Sequence, residues 1–218
     1  MNRRLFLTTL TLATAAAFAQ ESPLEKKLNC SNILCLAQEY KYSDENLARY
    51  NKWVEQTIKE SEQQKSFAII INKADYKLLL IKDGKFHSQY NIELGFNPID
   101  DKHKEGDGCT PEGLYEVIAK KDRSQTIFYR ALLIDYPSQK DLKEFKELKK
   151  KGTVPETASA GGMIEIHGNG SGKSPKDGGH NWTLGCIALS NEDIDRIFPF
   201  VGKGTRIAIV RYATKNWR

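Results

Sequence analysis

The residues with the clearest chemical potential are a cysteine, Cys186, and a histidine, His167, which precedes it in the chain. The histidine lies in the apolar stretch MIEIHGNG, and the cysteine follows a glycine in NWTLGCIALSN. A cysteine becomes a nucleophile near neutral pH when a base or a positive field favours its thiolate, and histidine most often supplies that base. The pattern predicts a thiol nucleophile with a histidine as general base. The order differs from that of papain-like enzymes, in which the cysteine comes first.

Other interpretations of these residues stay open at this point. A lone cysteine is often a buried structural residue, and a lone histidine on an apolar strand is often a packed core residue. His180 lies close before Cys186 and is a rival base; with His167 it would complete a set of three zinc ligands. The sequence has no CxxC, HxH or HExxH spacing, so neither a metal nor a cofactor is expected.

A second motif, EGDGCTPEG at Glu105 to Gly113, precedes the first along the chain. With the His-Gly and Gly-Cys strings it makes the sequence resemble the L,D-transpeptidase (YkuD-type) family. The family pattern is an apolar strand that ends in His-Gly, a loop, and then Ser/Thr-x-Gly-Cys. The resemblance covers Ser66 to about Tyr212. It implies the family's β-sandwich-like fold, with Cys186 as nucleophile and His167 as base.

The resemblance also implies a substrate class, the stem peptides of peptidoglycan. Cys186 would attack the bond between a third-position diamino acid and a terminal D-alanine, which forms a thioester acyl-enzyme. An amine acceptor from another stem, or from a wall-attached protein, would complete transpeptidation. Water would complete carboxypeptidation or an amidase-like release instead.

Transfer and hydrolysis both stay open because of one departure from the family pattern. Many members carry arginine where this chain has Ala188. A murein subgroup that resembles this chain carries GCIALSN, and that subgroup includes hydrolases as well as cross-linking enzymes. An alternative from a different class is a secreted murein-binding module without activity.

Four residues beside the pair are predicted to contact the substrate: Gly168, Trp182, Thr183 and Gly185. Gly185 would let the backbone approach a substrate closely, and the amides around Cys186 are candidates for an oxyanion hole. Gly168 would keep space open beside the imidazole. Trp182 and Thr183 would line the substrate groove, with ordinary packing as the alternative for Trp182. The intervening Gly-, Ser- and Lys-rich segment predicts a loop over the site.

The elements that must position these residues are mainly strands. Predicted strands from Ser66 onward are SFAIIIN, a hairpin in YKLLLIKDGKFHSQYNIELG that turns at Asp83-Gly84, GLYEVIAKK, YRALLIDY, GMIEIHG, LGCIAL and TRIAIVRY. Two helices interrupt them, one from Ser138 to near Gly152 and one from Ser190 to near Gly202. Many short strands with few helices predict a mainly β domain with a few helices.

Three segments are predicted along the chain. Residues 1–19 combine a basic start, a short apolar stretch and the small-x-small site Ala17-Phe18-Ala19, which is typical of a signal peptide. General secretion and twin-arginine export both stay open, because Arg3 and Arg4 are adjacent. Residues 20–65 are predicted to form a helical N-terminal extension, and residues 66–212 the catalytic domain. We expect the mature protein in the periplasm or cell envelope, without a membrane span.

Charge and cysteine content restrict the partners further. The net charge of +5 comes from 33 basic and 28 acidic side chains, which is too mild and too mixed to indicate nucleic-acid binding. Cys30 and Cys35 are predicted to pair in an oxidising compartment, with free thiols as the alternative. Cys109 is expected not to bridge to Cys186, because a nucleophile held in a disulfide cannot attack.

Overall fold

Eight strands and three helices make up the described chain, which is residues 44–169 and 181–213 of the computed structural model. The strands are β1 (Phe67–Asn72), β2 (Lys77–Lys82), β3 (Lys85–Asn91), β4 (Gly113–Lys121), β5 (Ala131–Ile134), β6 (Glu165–Gly168), β7 (Ile187–Leu189) and β8 (Arg206–Val210). The helices are α1 (Asp44–Gln64), α2 (Gln139–Lys150) and α3 (Asn191–Ile197). The mainly β fold predicted from the sequence is confirmed. Within these ranges, no helix combines the length and the apolar character that crossing a membrane requires.

All eight strands hydrogen-bond into one sheet in the order β3-β2-β1-β8-β4-β5-β6-β7. The hairpin predicted at Asp83-Gly84 joins β2 to β3. Two pairings, β1 with β8 and β6 with β7, are parallel, and the others are antiparallel. The parallel pair of β6 and β7 places His167 opposite Ala188. The residue before β7, Cys186, therefore arrives beside Glu165, two residues before the histidine.

The central strands are buried on both faces, as their unbroken apolar sequences predict. Successive side chains of a strand point to opposite sides, so β1 contributes Ile69 and Ile71 to one apolar cluster, and Ala68 and Ile70 to another. The first cluster also contains residues of β5, β6, β7 and α3. The second is covered by α1, whose Tyr50 is among its buried members. Helix α1 is thus part of the core rather than an appended arm.

Serine caps begin both short helices where the sequence predicts them. The Ser138 side chain accepts from the backbone N–H of Asp141, and the Asp141 side chain accepts from the backbone N–H of Ser138, which is a complete capping box. Ser190 accepts from the backbone N–H of Asp193 at the start of α3. The apolar residues of α2 are half-buried rather than buried, because this helix lies at the surface.

A buried ion pair ties α1, the end of β1 and the EGDGCTPEG segment together. The fully buried ammonium of Lys73 donates to Glu112 Oε1 and to the backbone carbonyls of Asp100 and Thr110, each at 2.8 Å. Tyr50 Oη donates to Glu112 Oε2 at 2.5 Å. All three N–H donors of the ammonium are therefore used. This complete set offsets the cost of removing both charges from water.

Three glycines bring separate chain segments into backbone contact beneath Cys186. A Cβ atom added to Gly95 would lie 1.9 Å from the carbonyl oxygen of Gly108 and 3.1 Å from the Cα of Gly185. A Cβ on Gly185 would lie 2.5 Å from the carbonyl oxygen of Cys109. Real Cβ contacts are not this short, so any side chain here would push the segments apart. The EGDGCTPEG motif therefore packs directly against the Gly-Cys turn.

We expect Gly95→Ala to destabilise the protein by about 1–3 kcal/mol or more, the usual cost of an overpacked interior. Gly95 has an ordinary backbone conformation, so the loss would come from the clash and not from φ strain. Gly202→Ala is the matched control, because its Cβ would meet nothing within 4 Å. Urea unfolding measures both. Equal midpoints for the two variants would contradict the packing described here.

Candidate active site

His167 and Cys186 both line one cavity of about 940 Å³. His167 reaches it from β6, and Cys186 from the turn before β7. Trp182 and Thr183 also line this cavity, whereas Gly168 and Gly185 follow His167 and precede Cys186 in the chain. The structure thus brings four of the six predicted site residues to one cavity, whereas Gly168 and Gly185 are not among its lining residues.

The imidazole of His167 is fully buried and has a defined orientation. Its Nδ1 lies 3.0 Å from the carbonyl oxygen of Gly168. Because a carbonyl only accepts, Nδ1 carries the hydrogen, and Nε2 of the neutral ring has a free lone pair. Nε2 is buried and has no hydrogen-bond partner among the described residues. The ring is therefore arranged to take up a proton at Nε2.

Two aromatic side chains enclose this imidazole. Phe128 stacks on it with a centroid separation of 3.6 Å and an interplanar angle of 11°, and Trp182 meets it edge-on at 5.8 Å. Burial lowers the pKa of His167 to about 4, although the hydrogen bond to Gly168 acts in the opposite direction. The ring is therefore neutral at neutral pH. Trp182, predicted as a wall of the groove, also packs against the base.

The thiol of Cys186 hydrogen-bonds to backbone atoms. Its Sγ accepts from the N–H of Glu165 at 3.4 Å and donates to the carbonyl oxygen of Met163 at 3.6 Å. Burial raises the pKa of the Cys186 thiol to about 11; the Glu165 N–H and the charge of Lys102 oppose this rise, and the Glu165 carboxylate adds to it. Both pKa shifts favour the neutral forms of the cysteine and the histidine near pH 7.

Thr183 braces the turn that carries the cysteine. Its hydroxyl donates to the carbonyl oxygen of Cys186 at 2.8 Å and accepts from the N–H of Gly185 at 3.1 Å. The backbone of Thr183 bonds in both directions to the segment around Leu94 and Phe96. Because its N–H is already bonded, Gly185 is not a free donor for an oxyanion hole. Thr183 lines the cavity, but its hydroxyl is used inside the turn.

Gly168 is needed for a reason other than the predicted one. A Cβ at this position would lie 2.8 Å from Asn191 Oδ1 and 2.8 Å from Ile194 Cγ2, with Tyr129 Cβ at 3.2 Å. The missing side chain therefore lets α3 and the Tyr129 segment approach β6, rather than leaving space beside the imidazole. The carbonyl of the same glycine orients the ring.

Several predicted features lie outside the described residues. They are the 1–19 segment, most of the 20–65 extension, Cys30 and Cys35, the loop of residues 170–180, and His180. In the described part of the chain, Cys109 and Cys186 are both free thiols. No cluster of three or more histidine, cysteine, aspartate or glutamate side chains suited to a metal occurs in the two described ranges.

Lys121, Phe128 and Glu165 are among the cavity residues that sequence reasoning missed. Lys121 Nζ and Glu165 Oε1 form an ion pair of 2.6 Å. The position of Glu165 could have been predicted from the sequence. It lies two residues before His167 on a predicted strand, and residues two apart on a strand share a face. Lys121 and Phe128 come from distant segments without a motif, so only the folded sheet brings them here.

Comparisons with known proteins give a family match and structures of similar fold. A family profile described as the L,D-transpeptidase catalytic domain (YkuD) matches residues 66–209. The solved structure of the helical cell shape determining protein Pgp2 from Campylobacter jejuni is similar, with TM-score 0.51 and 25% identity over 76% of this chain and 56% of that chain. Bd1075 from Bdellovibrio bacteriovorus is similar in fold, with TM-score 0.50 and 19% identity over 69% of this chain and 50% of that chain. The chain thus spans about half the length of these structures. A search of curated proteins found no match.

We expect Cys186 to react with iodoacetamide faster than Cys109 in the native protein. Both thiols have a pKa raised to about 11 by burial, so the difference would come from access: Cys109 is 2% exposed, whereas Cys186 is partly exposed. Peptide mass spectrometry over a pH series measures both rates, and each should rise up to about pH 11. A rate for Cys186 that levels off near pH 7 would instead reveal a thiolate–imidazolium pair.

Proposed function

The chain belongs to the L,D-transpeptidase (YkuD) catalytic-domain family, and from this membership we propose that it is an acyltransferase that acts on peptidoglycan stem peptides through Cys186. The observation that carries the proposal is one cavity lined both by the partly exposed Cys186 and by His167, whose Nε2 has no hydrogen-bond partner among the described residues. A nucleophile and a base within one site are what thiol acyl transfer requires. Neither a cofactor nor a metal takes part.

The first step couples proton transfer to attack. The thiol rotates from the Met163 carbonyl towards Nε2 of His167, and Sγ attacks the carbonyl carbon of the third-position diamino acid. Because the pKa values of base and thiol are about 4 and about 11, an ion pair in the empty site is unfavourable. The proton therefore passes to Nε2 as the C–S bond forms. The Nδ1–H bond to Gly168 supports the imidazolium that results.

The second step releases D-alanine and regenerates the base. The imidazolium gives its proton to the leaving nitrogen, the C–N bond breaks, and a thioester remains on Cys186. An amine of a second stem peptide then attacks the thioester, Nε2 of His167 takes its proton, and the thiol is restored. A wall-attached protein is a further candidate acceptor.

Hydrolysis is the second candidate outcome. Ala188 stands where many relatives carry arginine, and its side chain is buried opposite the histidine on β7. Water in place of the amine acceptor would make the protein an L,D-carboxypeptidase or an amidase-like hydrolase at the same thiol. A secreted murein-binding module is the non-catalytic candidate, and the resting thiol pKa of about 11 is the observation that favours it.

Export and a role in cell shape are also part of the proposal. Peptidoglycan lies outside the cytoplasm, so we propose that residues 1–19 are a signal peptide and that the protein works in the periplasm or cell envelope. Residues 20–65 would be the helical extension and residues 66–212 the catalytic domain. The similarity to a cell shape determining protein from Campylobacter jejuni supports a role in shaping the wall.

We expect Cys186→Ala to abolish turnover of a disaccharide-tetrapeptide, because no other group would carry the acyl chain. His167→Ala should lower the rate by about 10²–10⁴-fold, as for a lost general base, and the double variant should be little worse than Cys186→Ala. Mass spectrometry distinguishes the outcomes: loss of D-alanine with a dimer is transfer, and loss without a dimer is hydrolysis. Cys109→Ala is the control and should stay active. Turnover by Cys186→Ala at the parent rate, or a need for added zinc, would refute the proposal.

The pH dependence tests the base separately. The reaction needs neutral His167, which is present above its pKa and lost as the pH falls through it. We therefore expect kcat/KM of the free enzyme to hold down to about pH 5 and to decline towards about pH 4. An acid limb near 6.5, the ordinary histidine value, would show that the base is another or a more exposed group.

A further inference from the structure

The EGDGCTPEG segment is the sequence motif to which the proposed chemistry gives no role. Its aspartate, Asp107, accepts four hydrogen bonds at the centre of a loop. The ammonium of Lys102 donates to Oδ1 at 2.8 Å. The backbone N–H groups of His103, Lys104 and Cys109 donate at 2.8, 2.9 and 3.0 Å. Although burial acts to raise it, these bonds hold the pKa of Asp107 below its usual value. Asp107 is therefore an anion that organises the loop.

Lys102 and Asp107 form an ion pair that is almost removed from water, with side chains 3% and 13% exposed. Loss of one partner from such a pair leaves an uncompensated charge, which strongly destabilises a protein. Replacement of both partners by uncharged residues of similar shape is often neutral for stability. Stability alone therefore does not require charges at these two positions, and their surroundings point to a second role.

The loop that Asp107 organises lies directly beneath the turn that carries the nucleophile. Asp107 bonds to the N–H of Cys109. A Cβ atom on Gly185 would lie 2.5 Å from the carbonyl oxygen of Cys109, so the loop and the turn are in backbone contact. Gly185 is the residue before Cys186. A displacement of the loop would therefore displace the nucleophile.

The same loop also supports the carbonyl group to which the thiol donates. The N–H of Glu105 donates to the carbonyl oxygen of Ser159 at 2.8 Å, and a Cβ atom on Gly161 would lie 3.3 Å from the Cα of Glu105. This neighbouring segment continues to Met163, whose carbonyl oxygen accepts from Cys186 Sγ at 3.6 Å. The loop thus contacts two of the segments that hold the thiol.

The charge of Lys102 acts on the thiol through space. Burial raises the pKa of the Cys186 thiol, and the ammonium of Lys102 is among the groups that oppose this rise. A positive charge that favours a thiolate also favours the negative charge that sulfur gains as its proton leaves. The pair therefore acts on the nucleophile both through the backbone and through its field.

We propose that Lys102 and Asp107 are positioning residues for Cys186. Asp107 fixes the loop beneath the thiol, and the ammonium of Lys102 both neutralises Asp107 and favours the anionic sulfur. These roles rest on the proposed function for the reaction that the thiol performs, but their effect on the thiol itself is measurable without a substrate.

Alkylation of Cys186 by iodoacetamide tests the charge of Lys102 directly. At about pH 9, below the thiol pKa of about 11, the rate follows the fraction of thiolate. We expect Lys102→Met to slow the reaction about threefold or more, because the favourable charge is gone while the Asp107 carboxylate remains. A loop that was merely loosened would expose the thiol and speed its alkylation. The sign of the change therefore separates the two roles.

Two further variants change the charge while they nearly retain the shape of the loop. Asp107→Asn leaves the charge of Lys102 unopposed and should speed alkylation. Lys102→Met combined with Asp107→Asn should be slower than Asp107→Asn, from which it differs only at residue 102. Because the double variant leaves no unpaired buried charge, it should unfold in urea near the midpoint of the parent protein. This comparison therefore holds even where Lys102→Met does not fold.

The matched control is Lys104→Met, because Lys104 bonds to Asp107 through its backbone N–H, which methionine retains. This variant removes the same charge two residues away and should leave the alkylation rate of Cys186 unchanged. The inference would be overturned by an unchanged or faster rate in folded Lys102→Met, by a double variant as fast as Asp107→Asn, or by an equal slowing in Lys104→Met.

Turnover of a disaccharide-tetrapeptide separates this inference from the proposed function. Lys102→Met should lower kcat and kcat/KM by the same factor, because the charge acts on the reacting sulfur and not on binding of the stem; a change confined to KM would overturn the inference. The expected alkylation rates in a protein that does not turn over stems would uphold the inference and refute the proposed function. Turnover by the parent protein, with alkylation rates that do not depend on Lys102, would overturn the inference and leave the proposed function standing.

Discussion

The position of Cys186 depends on close backbone contact between chain segments that meet at glycine residues. Gly95 lies against the backbone of Gly108 and Gly185, and a Cβ atom on Gly95 or Gly185 would force the segments apart. The buried pair of Lys73 and Glu112 holds the middle segment in place through its hydrogen bonds. Cys186, the residue before the three-residue strand β7, is thus held by main-chain packing beneath its turn as well as by its own hydrogen bonds.

Burial is the main reason why the pKa shifts of His167 and Cys186 both favour the neutral form. Phe128 and Trp182 cover the imidazole, and the Cys186 thiol lies against the backbone of Glu165 and Met163, so both groups lose much of the water that would stabilise a charge. A protonated thiol reacts slowly with oxidants, which is compatible with the export proposed above. In the proposed mechanism, activation depends on a bound acyl donor rather than on a permanently ionised cysteine.

Local signals predicted the parts of this structure that depend on neighbours in sequence. The serine caps at Ser138 and Ser190, the turn at Asp83-Gly84 and the joint location of His167 and Cys186 follow from short patterns or from the family motif. The stacking of Phe128 on His167 has no such signal. Phe128 precedes β5 and His167 lies on β6, so only the pairing of these two strands brings the rings together. The reason for Gly168 was also hidden, since its neighbours lie on α3 and in the segment before β5. The ionisation of the thiol depends on burial, which no motif encodes.

The bond from Tyr50 to Glu112 has a consequence for where the folding unit begins. The family match starts at residue 66, yet α1 covers Ala68 and Ala208 and completes the hydrogen bonds of a buried carboxylate. A fragment cut at the match boundary would expose an apolar sheet face and leave half of that carboxylate unsatisfied. The segment matched by the family profile is therefore shorter than the segment needed for a stable fold. Self-association of such a fragment would reflect the missing helix α1 rather than a property of the intact protein.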